Sequence, residues 1–316
     1  MFDFRTRRLL KGLLCHPARG FWRLARTLDI DFDREGRDML VNSALGLPDR
    51  VAKEYEAEIN WLQQHGLHEG VSVTFPYPVV AKQMQFIEVE DGVDGGVPYV
   101  YHKGKRLFFP PNWKLISGKT PKESYRDYVV NEGILGISAR AKTPHSYITD
   151  FHHPGPNDVL LDVGCAEALF ALDWVDRVQH VHLFECDKIW RRPLRKTFLG
   201  YQGKVTLTEG FVGDGTDGSV RLDDCVRHSD DTTYFVKMDI EGAERFVLNS
   251  SAAFLKKNKV ALSVCCYHRY DDYAVLTDIL TSLGYSTSFS DGYMLPEIGG
   301  CHFPYFRKGV IYAKNY

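Results

Sequence analysis

The stretch from Asp158 to Ala168, DVLLDVGCAEA, is a short apolar run that ends in an acid, a glycine and a second acid. Runs of this kind recur and alternate with segments of helical character: VLLDVG, VHLFEC, VTLTEG, YFVKMD and VALSVCCYH, beginning at residues 159, 181, 205, 234 and 260. This alternation is typical of a parallel sheet with crossover helices. Two later strand-like runs, STSFSDGYML from residue 286 and KGVIYAKNY from residue 308, predict a terminal antiparallel β-pair. The sequence therefore predicts an α/β fold with a Rossmann-like sheet.

Residues 1–119 follow a different pattern, and we predict a smaller α+β region there, ahead of a domain over residues 120–316. Helical periodicity predicts a helix over residues 47–65. Aromatic and β-branched runs separated by turns predict a small antiparallel meander with strands at Gln85–Val89, Val97–Tyr101 and Arg106–Phe109. Thr120 and Pro121 then supply a cap and a first-turn proline for a helix over Lys122–Gly133.

The segment 1–28 is strongly basic and has leucine and tryptophan interleaved with its arginines. Two interpretations stay open for it. Such a segment lies on an anionic membrane surface in some proteins, which here would be peripheral contact with the inner membrane. In others it is a solvated helix that packs its apolar side on the domain.

Composition excludes several classes of protein. The formal net charge of −2 argues against a general nucleic-acid binder. No run approaches the roughly 20 apolar residues needed to span a bilayer, and the first residues lack the pattern of a secretory signal. The seven cysteines are scattered without CxxC spacing, which favours reduced thiols. We therefore expect a cytoplasmic protein.

The turn after the first predicted strand holds Asp162, Gly164 and Glu167, at the sheet edge where open α/β folds bind ligands. It lacks the later glycines of GxGxxG, so it does not suit a pyrophosphate. Its two acids suit the ammonium and sulfonium of S-adenosylmethionine, although acids also favour a helix amino terminus. Glu185 ends the second strand, 23 residues after Asp162, where an acid accepts hydrogen bonds from ribose hydroxyls. A surface acid is the alternative for Glu185 alone.

The predicted catalytic residues are Lys237, Asp239 and His268, which lie at the ends of the fourth and fifth strands. A lysine inside an apolar run requires an acidic partner, so we expect one for Lys237 near the strand end. We expect Asp239 and His268 to lie side by side, and a neutral His268 to accept a proton from a hydroxyl. A structural histidine is the alternative. A divalent cation held by Asp239 and Glu241 is a rival mechanism that we do not favour.

These residues resemble the FkbM-type methyltransferase family. The matching text covers roughly residues 120–316: PHSY from Pro144, DVGCAEALFAL, LFECD, VKMDIEGAE, CCYHRYDDY, SDGYML and PYFRKGVIYAKN. The resemblance implies a class I S-adenosylmethionine-dependent O-methyltransferase, a group that commonly acts on sugars, polyketides and other secondary or cell-surface metabolites. Ala168 departs from the glycine that many relatives have at that position.

The resemblance also implies roles for particular residues. Cofactor binding would fall to Asp162, Gly164 and Glu185, and the predicted set is completed by Glu167, Phe211 and Asp214. The reaction site would be lined by Asp239, Glu241 and His268, and Glu241 is predicted to bind substrate together with His145 and Tyr147.

The sequence thus predicts methyl transfer to a hydroxyl of a small molecule or saccharide, such as a surface glycan or a glycosylated metabolite. Two alternatives stay open. A nicotinamide-dependent oxidoreductase shares the strand–turn–helix and the acid at Glu185. A non-catalytic module that binds a glycan or a membrane would use the basic segment 1–28.

Overall fold

The computed structural model describes residues 32–65, 74–75, 84–134, 143–226, 232–296 and 303–316. Within these ranges the strands are β1 (Thr74–Phe75), β2 (Asp91–Asp94), β3 (Val97–His102), β4 (Lys105–Phe108), β5 (Asp158–Val163), β6 (His180–Phe184), β7 (Val205–Thr208), β8 (Thr233–Met238), β9 (Lys259–Cys265), β10 (Ser286–Phe289), β11 (Tyr293–Met294) and β12 (Val310–Lys314). The predicted segment 1–28 lies outside the described residues.

The helices of the same ranges are α1 (Phe32–Leu45), α2 (Asp49–Ala52), α3 (Glu56–His65), α4 (Trp113–Ser117), α5 (Pro121–Asn131), α6 (Leu169–Trp174), α7 (Arg191–Thr197), α8 (Leu222–Cys225), α9 (Glu244–Ser250), α10 (Ala252–Lys257) and α11 (Asp272–Ser282). Short 3₁₀ turns lie at Lys53–Tyr55 and Leu199–Tyr201. No helix of the described residues is long and apolar enough to cross a membrane.

The main sheet has seven strands in the order β7-β6-β5-β8-β9-β12-β10. Its first five strands in chain order pair in parallel, and β12 pairs antiparallel with both β9 and β10. A central first strand, a reversal of strand order beside it and one antiparallel strand near the edge make this a class I Rossmann-like methyltransferase fold. The predicted fold class and terminal antiparallel pair are confirmed.

Both faces of the sheet are buried, which explains the nearly continuous apolar runs of its strands. Along β5, Leu160 packs into one core with Phe235 of β8, while Leu161 packs into the opposite core with Val236. Successive side chains of a strand point to opposite faces, so a single run of apolar residues serves both cores.

The predicted meander exists, but its first strand is β2 and not Gln85–Val89. We expected DGVDGG to be a turn, whereas its first four residues are the strand. Gly95 and Gly96, with φ of 57° and 76°, form the two-residue turn to β3. A two-residue hairpin of this kind requires positive φ at both positions, so the turn takes only the glycines and leaves Asp91–Asp94 to pair.

The meander packs on one face of the main sheet. The amide of Phe108 in β4 donates to Thr197 Oγ1 of α7 at 3.0 Å, and Lys105 donates to the carbonyl of Leu172 in α6 at 2.9 Å. Side chains of β3 and β4 enter the same core as β5 and β8. The boundary at residues 119 and 120 stays a prediction.

Helix α5 begins at the predicted cap. Thr120 accepts from the amide of Glu123 at 3.3 Å, and Glu123 accepts from the amide of Thr120 at 2.6 Å, which makes a capping box. The helix runs to Asn131, so its last turn and Glu132 reach the carboxyl edge of the main sheet.

Candidate active site

A cleft of about 260 Å³ opens at the carboxyl ends of β5, β6 and β8. Of the residues predicted as functional, those that line it are His145, Tyr147, Gly164, Glu167, Glu185, Phe211, Lys237, Asp239 and Glu241. Asp162, Asp214 and His268 do not line it. Strand order explains why residues from these three strand ends meet in one cleft, because β5 is paired with β6 on one side and with β8 on the other.

Glu185, at the end of β6, organises the loop that follows β5. Its Oε2 accepts a hydrogen bond from the amide of Ala166 at 2.9 Å, and its Oε1 accepts from the amide of Asp187 at 2.7 Å. The side chain is 5% exposed and lies on the cleft wall. These two bonds fix the carboxylate in one orientation beside the cleft.

Gly164 packs directly against the chain that leaves β8. Its φ is 74°, and a Cβ there would overlap the carbonyl oxygen of Asp239 and lie 2.6 Å from Cγ2 of Ile240. Only glycine fits this approach without displacing backbone. Gly164 therefore brings the loops after β5 and β8 close enough to form one cleft floor.

Lys237 has the acidic partner that the sequence predicts, and it is Asp162. Their Nζ and Oδ1 atoms are 3.1 Å apart, and Nζ also donates to the carbonyl of Gly164 at 2.8 Å. Burial alone lowers the pKa of Lys237, but the charges of Asp162 and Asp239 outweigh burial and raise it. Asp162 is fully buried beneath the cleft, so the structure gives it an ion pair with Lys237, and its predicted contact with a cofactor stays a prediction.

Carboxylates dominate the charge of the cleft. Among the described residues, five acids and one lysine line it: Glu132, Glu167, Glu185, Asp239, Glu241 and Lys237. Burial raises the pKa of Glu167 to about 7. The pKa of Glu132 is also raised well above its usual value, mainly by burial and secondly by the negative charge of Glu167. A bound cation would relieve the repulsion among these acids and a phosphate would add to it, so the described lining favours a cation.

The burial of Glu167 gives a stability prediction. Its pKa in the folded state lies above the unfolded value, so stability is present at low pH and falls as pH rises from about 4.5 to 7. We expect Glu167→Gln to be more stable than the wild type at pH 8 by on the order of 2 kcal/mol, with the gain shrinking toward pH 5. Urea unfolding at both pH values measures it. Glu88→Gln, at an exposed acid, is the control, and an equal gain at both pH values would contradict the assignment.

Asp239 lies at the inner end of the cleft inside a ring of donors. Tyr147 donates to its Oδ2 at 2.8 Å, and Tyr267 lies 3.5 Å from its Oδ1. His145 Nε2 is 3.5 Å from Oδ2. Burial alone raises the pKa of Asp239, but hydrogen bonds from His145 and His268 and the charge of His268 hold it well below its usual range. Asp239 is therefore an ionised acceptor around which the ring is arranged.

His268 lies beside Asp239 as predicted, and its role as a neutral base stays a prediction that its two acidic neighbours disfavour. Its Nε2 is 3.3 Å from Asp239 Oδ1, and its Nδ1 is 3.0 Å from Oε1 of the fully buried Glu244. Burial alone lowers the pKa of His268, but the charges and hydrogen bonds of these two carboxylates raise it well above its usual value. The side chain is 2% exposed and does not line the cleft. Its two acidic neighbours therefore favour the protonated form of this buried ring.

The rival metal position between Asp239 and Glu241 is also taken up by His268. Nε2 is 3.9 Å from Glu241 Oε2 as well as 3.3 Å from Asp239, so the imidazolium already supplies positive charge between the two acids. A second group of possible ligands is His145, Asp239 and Cys265. Burial raises the pKa of the Cys265 thiol well above its usual value. A metal stays the less favoured alternative.

The loop after β7 brings one of its two predicted residues to the cleft. Phe211 lines the cleft and stacks on Phe246, with ring centroids 6.0 Å apart. Asp214 lies away from it, because its Oδ1 accepts from the amide and hydroxyl of Thr216 at 2.9 and 2.7 Å within an exposed turn. The structure therefore does not bring Asp214 to the site.

Sequence reasoning missed several residues of the site: Tyr128, Glu132, Glu244 and Tyr267. Tyr267 had a signal, because alternation along the end of β9 puts it on the opposite side from His268. Glu244 is the first residue of α9, where acids are common, and it is buried and accepts from the amide of Ile240 at 3.0 Å.

No protein-family profile and no curated protein matches this chain. Among solved structures it is similar to the methyltransferase FkbM from Methylobacillus flagellatus, with 22% identity over 52% of this chain and 45% of that one, and a TM-score of 0.40. The precorrin-6y C5,15-methyltransferase from Geobacter metallireducens is 14% identical over 53% and 84% of the two chains, with a TM-score of 0.35. The ribosomal protein L11 methylase from Lactobacillus delbrueckii subsp. bulgaricus is 11% identical over 60% and 78%, with a TM-score of 0.33. This chain thus spans less than half the length of the first of these proteins, and likenesses of this size carry no information about substrate.

Proposed function

We propose that this chain is an S-adenosylmethionine-dependent methyltransferase that acts on a hydroxyl group. The observation that carries the proposal is the acidic cleft at the switch point of a class I sheet, with Glu185 on its wall and the Asp239 ring at its inner end. Ligands of open α/β folds bind at this place.

The charge of the cleft favours this donor over a nicotinamide dinucleotide. S-adenosylmethionine carries a sulfonium and an ammonium group, and five lining carboxylates complement both. A dinucleotide would bring two phosphates to the same acids, and Lys237, which is the one lysine that the described residues contribute to the lining, is already paired with Asp162. The amide-rich, multi-glycine turn that holds a pyrophosphate is replaced by a loop with Ala166 and Ala168.

The residues fit the donor in specific ways. Gly164 leaves room for backbone to approach it, Glu185 would accept hydrogen bonds from its ribose, and Glu167 with Glu132 would face its ammonium group. When bound, S-adenosylmethionine supplies an electrophilic methyl group to which a hydroxyl oxygen bonds as the carbon–sulfur bond breaks. The chain must then orient the hydroxyl and accept its proton.

For the acceptor we propose a neutral saccharide or another uncharged polyol, as part of a glycan or a glycosylated metabolite. Tyrosine and carboxylate side chains suit hydroxyl-rich ligands, and the lining offers both in Tyr128, Tyr147, Tyr267 and Glu241. The same acids argue against phosphorylated acceptors, because each added phosphate would meet like charge.

Ligand-induced thermal stabilisation tests the proposal. S-adenosylhomocysteine should raise the melting temperature with a concentration dependence that gives a dissociation constant, whereas NADH should not. Transfer of a labelled methyl group from S-adenosylmethionine into extracts of the native host, followed by product identification, would then establish the acceptor. Stabilisation by NADH alone would favour the oxidoreductase, and stabilisation by neither cofactor would favour the non-catalytic binding module.

The place of Glu185 gives a second prediction. Glu185→Ala should weaken S-adenosylhomocysteine binding by about 1.5–3 kcal/mol, which is the range for a hydrogen bond to a charged group. Isothermal calorimetry on the folded variant measures it. Glu209→Ala, at an acid on the same edge that pairs with Arg191 and Arg195, is the control and should bind like the wild type. Unchanged affinity in Glu185→Ala would remove Glu185 from the cofactor site.

A further inference from the structure

We propose that His145 is the base of the reaction and that a buried line of three side chains, Asp239, His268 and Glu244, positions it. This inference rests on the proposed methyl transfer. Among the described residues, two histidines contact Asp239, and each approaches a different oxygen of its carboxylate. His145 lines the cleft, and His268 lies behind.

His145 reaches Asp239 through the same ring nitrogen that meets the two tyrosines. Its Nε2 is 3.5 Å from Asp239 Oδ2, 3.2 Å from the Tyr147 hydroxyl and 3.5 Å from the Tyr267 hydroxyl. The distance to Asp239 is long for a hydrogen bond, as is common in active sites without substrate. The described part of the chain gives Nδ1 no hydrogen-bond partner.

This arrangement selects one tautomer. With Nε2–H directed at the Asp239 carboxylate, the lone pair of the neutral ring is on Nδ1. The acceptor's oxygen forms the new bond to the methyl carbon, the pair of the broken carbon–sulfur bond stays on sulfur, and the hydroxyl proton passes to Nδ1. The resulting imidazolium is stabilised by Asp239 and releases its proton to water. No oxidant, reductant or metal enters the balance.

His268 and Glu244 hold Asp239 from behind. The three groups alternate in sign, with Glu244 Oε1 and Asp239 Oδ1 at 3.0 and 3.3 Å from the two nitrogens of one ring. Glu244 is anchored by the amide of Ile240 at 3.0 Å. His268 and Glu244 touch no ligand in the cleft, so they are positioning residues and His145 is the catalytic one.

The line sets the charge that His145 experiences. With both carboxylates ionised and His268 protonated, the formal charge of Glu244, His268 and Asp239 is −1. The other groups around His145 are the hydroxyls of Tyr147 and Tyr267, the thiol of Cys265, and the more distant Lys237, Glu132 and Glu241.

The first experiment concerns the base. His145→Gln should lower kcat by about 10²–10⁴-fold while S-adenosylhomocysteine affinity stays within about twofold of the wild type. The acid limb of the pH profile of kcat should disappear. His180→Gln, at the opposite end of β6, is the matched control and should behave as the wild type. A His145→Gln variant with undiminished kcat would refute the assignment.

The second experiment separates positioning from mere folding. His268→Gln leaves a charge of −2 and should move the acid limb to higher pH, whereas Glu244→Gln leaves 0 and should move it to lower pH. The double variant returns the charge to −1 and should move the limb back toward the wild type. A purely structural role predicts reduced activity with no opposite displacements, and an unmoved limb in His268→Gln would overturn the inference. The double variant and His268→Gln still decide the question if Glu244→Gln does not fold.

Failure of the inference is distinguishable from failure of the proposed function. NMR titration of the His145 ring in the same variants follows the opposite displacements without donor or acceptor. Opposite displacements in a protein that S-adenosylhomocysteine does not stabilise would support the buried line and reject methyl transfer. Stabilisation by S-adenosylhomocysteine, with no shift of the His145 titration in any variant, would support methyl transfer and reject the buried line.

Discussion

Lys237→Met is expected to lower the free energy of unfolding by about 3–5 kcal/mol, the range for breaking a buried ion pair by removing one partner. Asp162 is fully buried, and Lys237 is its cationic partner at 3.1 Å. Without the charge of Lys237, the buried carboxylate of Asp162 has neither water nor a cation to stabilise its negative charge. The remaining acid should bind a proton more readily, so the loss should be largest at high pH and shrink as pH falls.

Urea denaturation at pH 5 and pH 8 measures this loss, and two variants control it. Asp162→Asn combined with Lys237→Met removes both charges and should recover most of the stability. Lys122→Met breaks a surface pair with Asp91, 2.6 Å long, and should cost less than about 1 kcal/mol. If the double variant is no more stable than Lys237→Met, the loss comes from packing of the lysine stem and not from the charge.

Gly164→Ala has the second-largest expected effect, a loss of about 2–4 kcal/mol together with loss of cofactor binding. Roughly 1 kcal/mol comes from a left-handed backbone with a side chain, and about 1–3 kcal/mol from overpacking. The added methyl would overlap the carbonyl of Asp239, which is fixed by the parallel pairing of β5 and β8. The two strand ends must therefore move apart, and the cleft floor moves with them.

Gly203 offers a matched control for Gly164. Its φ is 86°, and a Cβ there would meet nothing within 4 Å. Gly203→Ala should therefore show the backbone cost alone, about 1 kcal/mol, with unchanged affinity for S-adenosylhomocysteine. Equal losses in the two variants, measured by urea unfolding, would mean that the close approach of Gly164 to Asp239 contributes nothing.

The sheet was predictable because its strands are buried on both faces and separated by helices. Runs such as DVLLDV and YFVKMD satisfy both cores at once, and few other structures need so many consecutive apolar residues. The cap at Thr120 was predictable because its hydrogen bonds are local in sequence. The error at β2 also has a local cause, since glycine and aspartate are common both in turns and at edge strands beside them.

The site was only partly predictable, because the type of a residue does not show how deeply its side chain is buried. Asp239 and His268 were expected to meet, and they do, but the sequence does not tell which side of Asp239 the histidine occupies. That depends on Glu244, whose burial under Ile240 is a tertiary property of the turn after β8. His145 and Tyr147 lie in a segment without periodicity, and only the family resemblance pointed to them.

The place of β12 in the sheet has a consequence for synthesis of the protein. It is the last strand in chain order, yet it lies inside the sheet, hydrogen-bonded to β9 on one side and β10 on the other. Until residues 310–314 emerge from the ribosome, β9 has an open edge and β10 has no neighbour. Pairing across this distance in sequence is slow, and an unpaired apolar edge is prone to aggregate. The nascent chain is therefore vulnerable until β12 has been made, and a chaperone that shields the edge of β9 would act before that point.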